Sequence, residues 1–102
     1  MTALRDWVSL EFEWDEEKNA MNRKKHGIDF RDAALVFNDE NYLEFYDAEH
    51  SDDEDRYNII GKVGEILFVV YTERKTRIRI ISARIATPQE RRWYYDREIF
   101  DY

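Results

Sequence analysis

The chain contains no cysteine. Disulfide bonds, a thiolate nucleophile and a cysteine-ligated zinc site are therefore excluded, and a protein without disulfides fits the cytoplasm. Long apolar runs are also missing, since the longest, Ile66–Tyr71, is far shorter than the ~20 residues that cross a bilayer. Residues 1–10 lack the apolar stretch of a secretory signal peptide. We therefore expect a cytoplasmic protein with no membrane association.

Basic residues are in the minority, with 16 Lys and Arg against 23 Asp and Glu and a net charge of −7. This excludes a uniformly basic protein that coats nucleic acid, but not a basic face on an acidic molecule. Serine occurs only at Ser9, Ser51 and Ser82, and histidine only at His26 and His50. None of them lies in a recognisable nucleophile turn, so a serine hydrolase is discounted.

The length of 102 residues and the hydrophobic content of 43% suit a single domain that spans residues 1–102. Apolar and polar residues alternate over Val8–Trp14, which predicts a half-buried strand. Asp15 is a typical N-cap and Gly27 a typical residue after a helix end, so they predict the ends of a first helix. Apolar residues at helical spacing predict a second helix over Phe30–Phe37.

The second half of the chain has the pattern of a sheet followed by a helix. Four strands are predicted, namely Tyr42–Tyr46, Tyr57–Lys62, Glu65–Thr72 and Arg77–Arg84. The alternation breaks at Ile81, which indicates a bulge or burial on both faces. A capping box from Thr87 to Glu90, with Pro88 at the first helical position, predicts the start of a last helix. We therefore predict an α+β fold, with an N-terminal strand, two helices, an antiparallel sheet of about four strands with helices packed on a face, and a C-terminal helix.

Charge is strongly segregated along the chain. The segment Asp39–Asp55 holds nine acids and no Lys or Arg, whereas Arg74–Arg97 holds eight bases and two acids. Seven of those eight bases are arginine, the side chain suited to two-pronged phosphate contacts. The segregation allows a basic face, but on the pattern alone mutually neutralising or merely solvated charges are the favoured explanation.

One group of residues has the chemistry to cleave RNA without a metal; it comprises Arg74, Arg79, Arg84, Glu90, Arg91 and Tyr94, with His26 as a further candidate. The ribose 2′-hydroxyl is itself the nucleophile. The protein must loosen its proton, protonate the leaving 5′-oxygen and stabilise charge on the phosphate. Arginine is no ordinary base, so proton transfer falls to Glu90, His26 or Tyr94.

Simpler structural roles compete with this chemistry. Arg84 and Glu90 can form an ion pair that ties the last strand to the last helix, with Trp93 and Tyr94 as core residues. On the residues alone, that explanation is favoured. His50 and its acidic neighbours can also be drawn as a cation site, but their spacing does not match a calcium loop and a solvated acidic loop is favoured.

Three stretches resemble the motifs of the BrnT toxin family. The first comprises Phe12–Asp15, Lys18, Asn22, Lys25–Ile28, Phe30 and Ala33; the second comprises His50, Ser51, Glu54, Arg56, Ile60 and Gly61; the third comprises Tyr71–Arg74, Arg79–Arg84, Ala86, Glu90, Arg91 and Tyr94. The resemblance runs from Phe12 to Tyr95 in the family's order. Residues 1–11 precede the family's usual start and are expected to form an N-terminal extension.

This resemblance implies a RelE-like fold and a toxin of a bacterial type II toxin–antitoxin system. The activity it implies is that of a metal-independent endoribonuclease that uses no cofactor and arrests growth by cutting RNA. The partner it implies is a ribbon-helix-helix antitoxin similar to BrnA, bound in a heterotetramer. Operator DNA would be contacted only through that antitoxin.

Because of this resemblance, we expect the basic C-terminal segment to be the RNA site. The expected catalytic residues are Arg79, Arg84 and Arg91 for phosphate contact, Glu90 for proton transfer, and His26 or Tyr94 as a second acid–base group. The expected RNA-binding residues are Lys24, Lys25, Arg74, Lys75 and Arg77, and no metal ligand is expected. The alternative is a non-catalytic module that binds an antitoxin or acts as a corepressor, with the acidic loop as its docking surface.

Overall fold

The computed structural model describes residues 11–97. Its elements are β1 (Glu11–Glu13), α1 (Glu16–His26), α2 (Phe30–Ala33), a 3-10 helix (Ala34–Asn38), β2 (Leu43–Tyr46), a short 3-10 helix (Ala48–His50), β3 (Tyr57–Val63), β4 (Glu65–Arg74), β5 (Arg77–Ile85) and α3 (Pro88–Asp96). The predicted beginning of the first strand at Val8 lies outside the described residues. Over that range, none of the helices has the length and apolar character needed to cross a membrane.

The five strands form one mixed sheet in the order β1-β5-β4-β3-β2. β1 is parallel to β5, with Phe12 opposite Ile78, and the other neighbours are antiparallel. The predicted RelE-like sheet of about four antiparallel strands therefore does not match in detail, because the first strand joins the last one as a fifth, parallel member. Alternation along a strand predicts which residues are buried, but not which strand is the partner or in which direction it runs.

The predicted helix ends are confirmed for α1 and α3. The Asp15 carboxylate accepts the backbone N–H of Glu17 at 2.8 Å, and Gly27 ends α1 with a left-handed φ of 74°. The predicted second helix is α2 followed by a 3-10 helix. This tighter turn presses Val36 onto β3, where a Cβ added to Gly61 would lie 2.8 Å from the Val36 Cβ.

Apolar residues cover both faces of the sheet. On the first face, α2 and the 3-10 helix that follows it bury Phe30 and Phe37 against Ile59 and the other inward residues of β3, β4 and β5. On the second face, called the α3 face below, Tyr94 of α3 packs with Ile60 and its neighbours. The helices therefore lie on both faces, which corrects the prediction that they pack on one.

Beyond the three residues that pair with β1, the outer side of β5 is closed by a side chain of α1. The Asn22 amide donates to the Ala83 carbonyl at 2.8 Å and accepts the Ala83 N–H at 3.2 Å, so it replaces a neighbouring strand. The predicted irregularity at Ile81 is confirmed as a bulge, because Val70 pairs with Ser82 while Tyr71 pairs with Ile80. The bulge lies where α1 and the α3 face meet.

Candidate functional site

A groove on the α3 face is left open beside α3. It has a volume of about 410 Å³ and is lined by Asp47, Glu49, His50, Arg56, Asn58, Phe68, Val70, Ile81, Ser82 and Arg84. Strands β3, β4 and β5 provide its floor. The loop between β2 and β3, residues 47–56, provides the other lining residues. We call this cavity the groove.

Arg84 is the most firmly held cation of the groove. Its Nη1 and Nη2 atoms donate to the two carboxylate oxygens of Glu90 at 2.8 and 2.9 Å. The guanidinium also lies over the ring of Phe68, 4.2 Å from the centroid. About a third of the Arg84 side chain, 35%, remains exposed. The guanidinium is therefore fixed in place and still accessible to an anion.

Glu90 has little freedom for any other task. It is only 8% exposed, and one of its oxygens also accepts the Thr87 backbone N–H in the capping box at 2.9 Å. Burial raises the pKa of the Glu90 carboxyl, but hydrogen bonds from Arg84 and Thr87 outweigh burial and hold the pKa below its ordinary value. The arrangement is an ion pair between strand and helix, as one of the two interpretations of the sequence predicted.

Tyr94 points away from the groove and into the packing beneath α3. Its hydroxyl donates to Asp39 at 2.5 Å, and only 6% of the residue is exposed. Burial and, next, the hydrogen bond to Asp39 raise the pKa of Tyr94 to about 12. Tyr94 therefore keeps its proton and joins α3 to the segment before β2.

His50 lies in the groove wall and is oriented by Asp47. The Nδ1 atom of His50 lies 3.1 and 3.0 Å from the two carboxylate oxygens of Asp47. Asp47 is held in turn, because its N–H donates to the Arg56 carbonyl at 2.9 Å and its carbonyl accepts the Ser51 hydroxyl at 2.6 Å. These hydrogen bonds hold the loop in one conformation. The loop therefore presents the His50 imidazole with Nδ1 already bonded to Asp47.

The side-chain oxygen of Asn58, in the same groove, has no hydrogen-bond partner among the described residues. Asn58 is 7% exposed, and this Oδ1 atom is buried. A buried polar atom without a partner is costly and rare in folded proteins. The groove therefore combines arginine side chains, an oriented imidazole and an unsatisfied acceptor.

Several of the predicted catalytic and RNA-binding residues lie toward the β4–β5 turn. Arg77 pairs with Glu11 at 3.1 Å, Arg79 with Glu13 at 2.9 Å, and Arg74 with Glu54 at 3.3 Å. Lys75 occupies the β4–β5 turn next to them. Strand rise alone separates Arg77 from Arg84 by roughly 20 Å, so Arg77 lies away from Arg84. Arg74 is nearer the groove, because its partner Glu54 belongs to the loop of residues 47–56.

His26, Lys24 and Lys25 line a second cavity at the end of α1, of about 520 Å³. Ile81 and Ser82 line both this cavity and the groove, so the two are neighbours across the β5 bulge. Arg91 is exposed on α3, 5.9 Å from the centre of the Tyr95 ring. The six residues predicted to form one catalytic cluster are therefore not brought to one pocket. Within residues 11–97, the side-chain hydrogen bonds among these six join Arg84 to Glu90 alone.

Sequence reasoning missed His50, Asp47, Arg56 and Asn58 as one site. His50 and Arg56 belong to a stretch of family resemblance, which was the available signal, but the surrounding acids favoured a solvated loop. Over residues 11–97, no three His, Asp or Glu side chains are arranged to hold a metal ion.

The fold and the groove together define a small α+β domain whose open groove holds two arginines and an oriented histidine. A family model described as the ribonuclease toxin BrnT of type II toxin–antitoxin systems matches residues 14–90. The chain therefore belongs to the BrnT family of ribonuclease toxins.

A solved structure agrees with this assignment. The chain is similar to the Brucella abortus ribonuclease toxin BrnT, determined at 1.1 Å resolution, with 25% sequence identity and a TM-score of 0.61. The similarity covers 78% of this chain and 99% of the Brucella chain. No curated protein matches the chain significantly.

Proposed function

We propose that the chain is an endoribonuclease toxin that binds RNA across the groove and cleaves it by attack of the ribose 2′-hydroxyl. The observation that carries the proposal is Arg84, whose guanidinium is fixed by two hydrogen bonds and yet remains 35% exposed. Such a preorganised cation stabilises the charge that develops on the phosphate during the reaction. Because the nucleophile belongs to the RNA, the reaction needs no metal-activated water.

In this proposal Glu90 positions Arg84 and does not transfer a proton. Both Glu90 oxygens already accept hydrogen bonds from Arg84, and the lowered pKa keeps the carboxylate charged. Tyr94 is likewise a structural residue, since its hydroxyl is committed to Asp39. Arg84 acts on the phosphate, and Arg56, which also lines the groove, adds a second cation.

The cavity at the end of α1 extends the RNA path. Lys24 and Lys25 line it, and Ile81 and Ser82 connect it to the groove. A chain of phosphates crossing the bulge would therefore meet the lysines on one side and Arg84 on the other. In this proposal Lys24 and Lys25 bind RNA, whereas Arg74, Lys75 and Arg77 do not lie on its path.

The partner that fits a toxin of a type II system is an antitoxin. We propose the ribbon-helix-helix type similar to BrnA, in a heterotetramer that contacts operator DNA only through the antitoxin, in the cytoplasm. Membership of the family supports an antitoxin in general. Co-expression with a neighbouring small gene product, followed by mass measurement of the purified complex, tests its type and stoichiometry.

Cleavage of a labelled RNA oligonucleotide in EDTA tests the activity. We expect products with 2′,3′-cyclic phosphate ends from the wild type and none from Arg84→Ala. Arg92→Ala is the matched control, because Arg92 is an exposed arginine of α3 that does not line the groove and bonds to Gln89. RNA left intact by the wild type, together with tight antitoxin binding, would instead support a non-catalytic interaction module.

A further inference from the structure

We propose that His50, oriented by Asp47, is the proton-transfer residue of the groove and that the ligand there is a ribonucleotide phosphate. This inference rests on the proposed function and deepens it. Family membership names neither residue, and sequence reasoning assigned proton transfer to Glu90.

The first observation is the direction of the imidazole. Nδ1 faces both Asp47 oxygens at 3.0 and 3.1 Å, which places the proton on Nδ1 in the neutral ring and leaves the Nε2 lone pair available. The nearest recorded carboxylate oxygen to Nε2, on Glu49, is 3.9 Å away and beyond hydrogen-bond distance. His50 is also 60% exposed at its side chain, so RNA can reach it.

The second observation is that Asp47 is well supported. Only 14% of its side chain is exposed, and the Ser51 hydroxyl links it to the far end of the loop by accepting the Arg56 N–H at 2.9 Å. A carboxylate that holds a histidine in one tautomer is the usual support for acid–base chemistry. Asp47 is a positioning residue in this proposal.

The third observation is independent of the histidine. Asn58 lines the groove with a buried Oδ1 that lacks a donor in the described chain. A phosphate dianion supplies no donor, whereas a ribose hydroxyl or a nucleobase N–H does. The groove thus has cations for a phosphate, with Arg84 the best placed, and Asn58 in its floor as an acceptor that must turn outward to meet a hydroxyl or N–H. Together these groups match a ribonucleotide.

The step balances within the RNA and His50. Nε2 accepts the proton of the 2′-hydroxyl while the 2′-oxygen bonds to phosphorus and the bond from phosphorus to the 5′-oxygen breaks. The protonated imidazole then returns that proton to the leaving 5′-oxygen. The products are a 2′,3′-cyclic phosphate and a 5′-hydroxyl, with no net gain or loss of protons.

Kinetics of the full-length chain test the proposal, using a labelled RNA oligonucleotide in EDTA. We expect His50→Ala to lower kcat by about 10²–10⁴-fold with KM changed little, and free imidazole to restore part of the rate in His50→Gly. Asp47→Asn should lower kcat by a larger factor than the factor by which it changes KM. Asp53→Asn, an exposed charge change on the same loop, is the control and should cleave as the wild type.

The outcomes separate this inference from the proposed function. Wild-type cleavage by His50→Ala, with Arg84→Ala inactive, would overturn the role of His50 and leave the nuclease intact. A larger loss in His26→Ala than in His50→Ala would place proton transfer in the neighbouring cavity and also overturn it. A wild type that cleaves no RNA would count against the proposed function itself.

A binding measurement provides a readout that does not depend on turnover. In an NMR titration with uridine 3′-monophosphate, we expect the His50 ring and the Asn58 side-chain amide to shift together. The NMR signals of the exposed Gln89 side-chain amide on α3 should not shift. Unchanged His50 and Asn58 signals at saturating nucleotide would overturn the ligand assignment, even in a folded and active protein.

Discussion

Arg84 and Glu90 face each other with two parallel hydrogen bonds of 2.8 and 2.9 Å, one from each terminal nitrogen of the guanidinium. The pair joins the end of β5 to the first turn of α3. It also fixes the plane of the guanidinium in the groove. One contact therefore affects both the stability of the domain and the proposed chemistry.

Arg84→Lys should retain the fold but lose most activity. A lysine keeps the charge, yet it cannot form two parallel hydrogen bonds with Glu90 and does not present a planar donor pair to phosphate. Removing one preorganised charge-stabilising group costs about 10²–10³ in kcat, and we expect Arg84→Lys within or just below that range. Initial cleavage rates and far-UV circular dichroism check this. A lysine variant as active as the wild type would show that activity does not require the two parallel hydrogen bonds of Arg84.

Glu90→Gln should destabilise the domain in a pH-dependent manner. We expect a loss of about 1–2 kcal/mol in the free energy of unfolding at pH 7, toward the low end because Arg84 stays partly solvated. The folded pKa of Glu90 lies below its ordinary value of 4.5. The contribution of the charged form is therefore full above that value and is lost as pH falls through the folded pKa.

Urea unfolding at pH 7 and at successively lower pH values measures this difference. The curves of wild type and Glu90→Gln should converge on acidification. A gap that stays constant or widens as pH falls would contradict an ionised, hydrogen-bonded carboxylate.

Asn22→Ala should lower the free energy of unfolding more than the loss of a polar side chain usually does. The Asn22 amide bonds to the Ala83 N–H and carbonyl and also donates to the Ile28 carbonyl at 2.9 Å. Its loss leaves buried backbone groups without partners, which costs about 1–3 kcal/mol. Asn38→Ala, at an exposed position, is the control and should change stability by less than about 0.5 kcal/mol. Equal effects of the two variants in thermal unfolding would disprove the proposed closure of the β5 edge.

Gly61→Ala should cost more stability than Gly27→Ala, for a different reason. An added Cβ at Gly61 would lie 2.8 Å from the Val36 Cβ, whereas Gly27 has open space but a left-handed φ of 74°. Overpacking costs about 1–3 kcal/mol, and a left-handed alanine about 1–2 kcal/mol. Midpoints of urea unfolding rank the two. The reverse ranking would show that β3 moves away from Val36 easily.

Replacing Lys24 and Lys25 together with alanine should weaken RNA binding and its dependence on salt. Each phosphate contact to single-stranded nucleic acid contributes a slope of about −0.7 in a plot of log K against log salt concentration. Losing both should therefore reduce the slope by about 1.4. Arg74→Ala with Lys75→Ala, toward the β4–β5 turn, serves as the comparison. An unchanged slope after loss of the α1 lysines would place the RNA elsewhere.

Local features of the fold could be predicted because they depend on neighbours in sequence. The caps at Asp15 and Thr87, the end of α1 at Gly27 and the bulge at Ile81 each follow from a few adjacent residues. The pairing of β1 with β5 depends on contacts far apart in the chain, so alternation could not reveal it. Likewise, periodicity did not distinguish an α-helix from the 3-10 turn that packs on Gly61.

The candidate site was predicted only in part for the same reason. Arg84 and Glu90 are six residues apart and their contact follows from a strand that leads into a capped helix. His50 reaches the same surface only because its loop folds back over the sheet, and its acidic neighbours suggest solvent instead. Tyr94 has helical spacing to Glu90, but its hydroxyl turns toward Asp39, a partner that spacing cannot identify.

The loop of residues 47–56 contributes four of the ten groove-lining residues, and within the described chain it contributes none of the buried hydrophobic core. Substitutions there can alter which nucleotides are accepted without repacking the domain. Natural variation in cutting preference would therefore accumulate in this segment first. An engineer could exchange the positions of this loop other than Asp47, His50 and Arg56 and retain the scaffold.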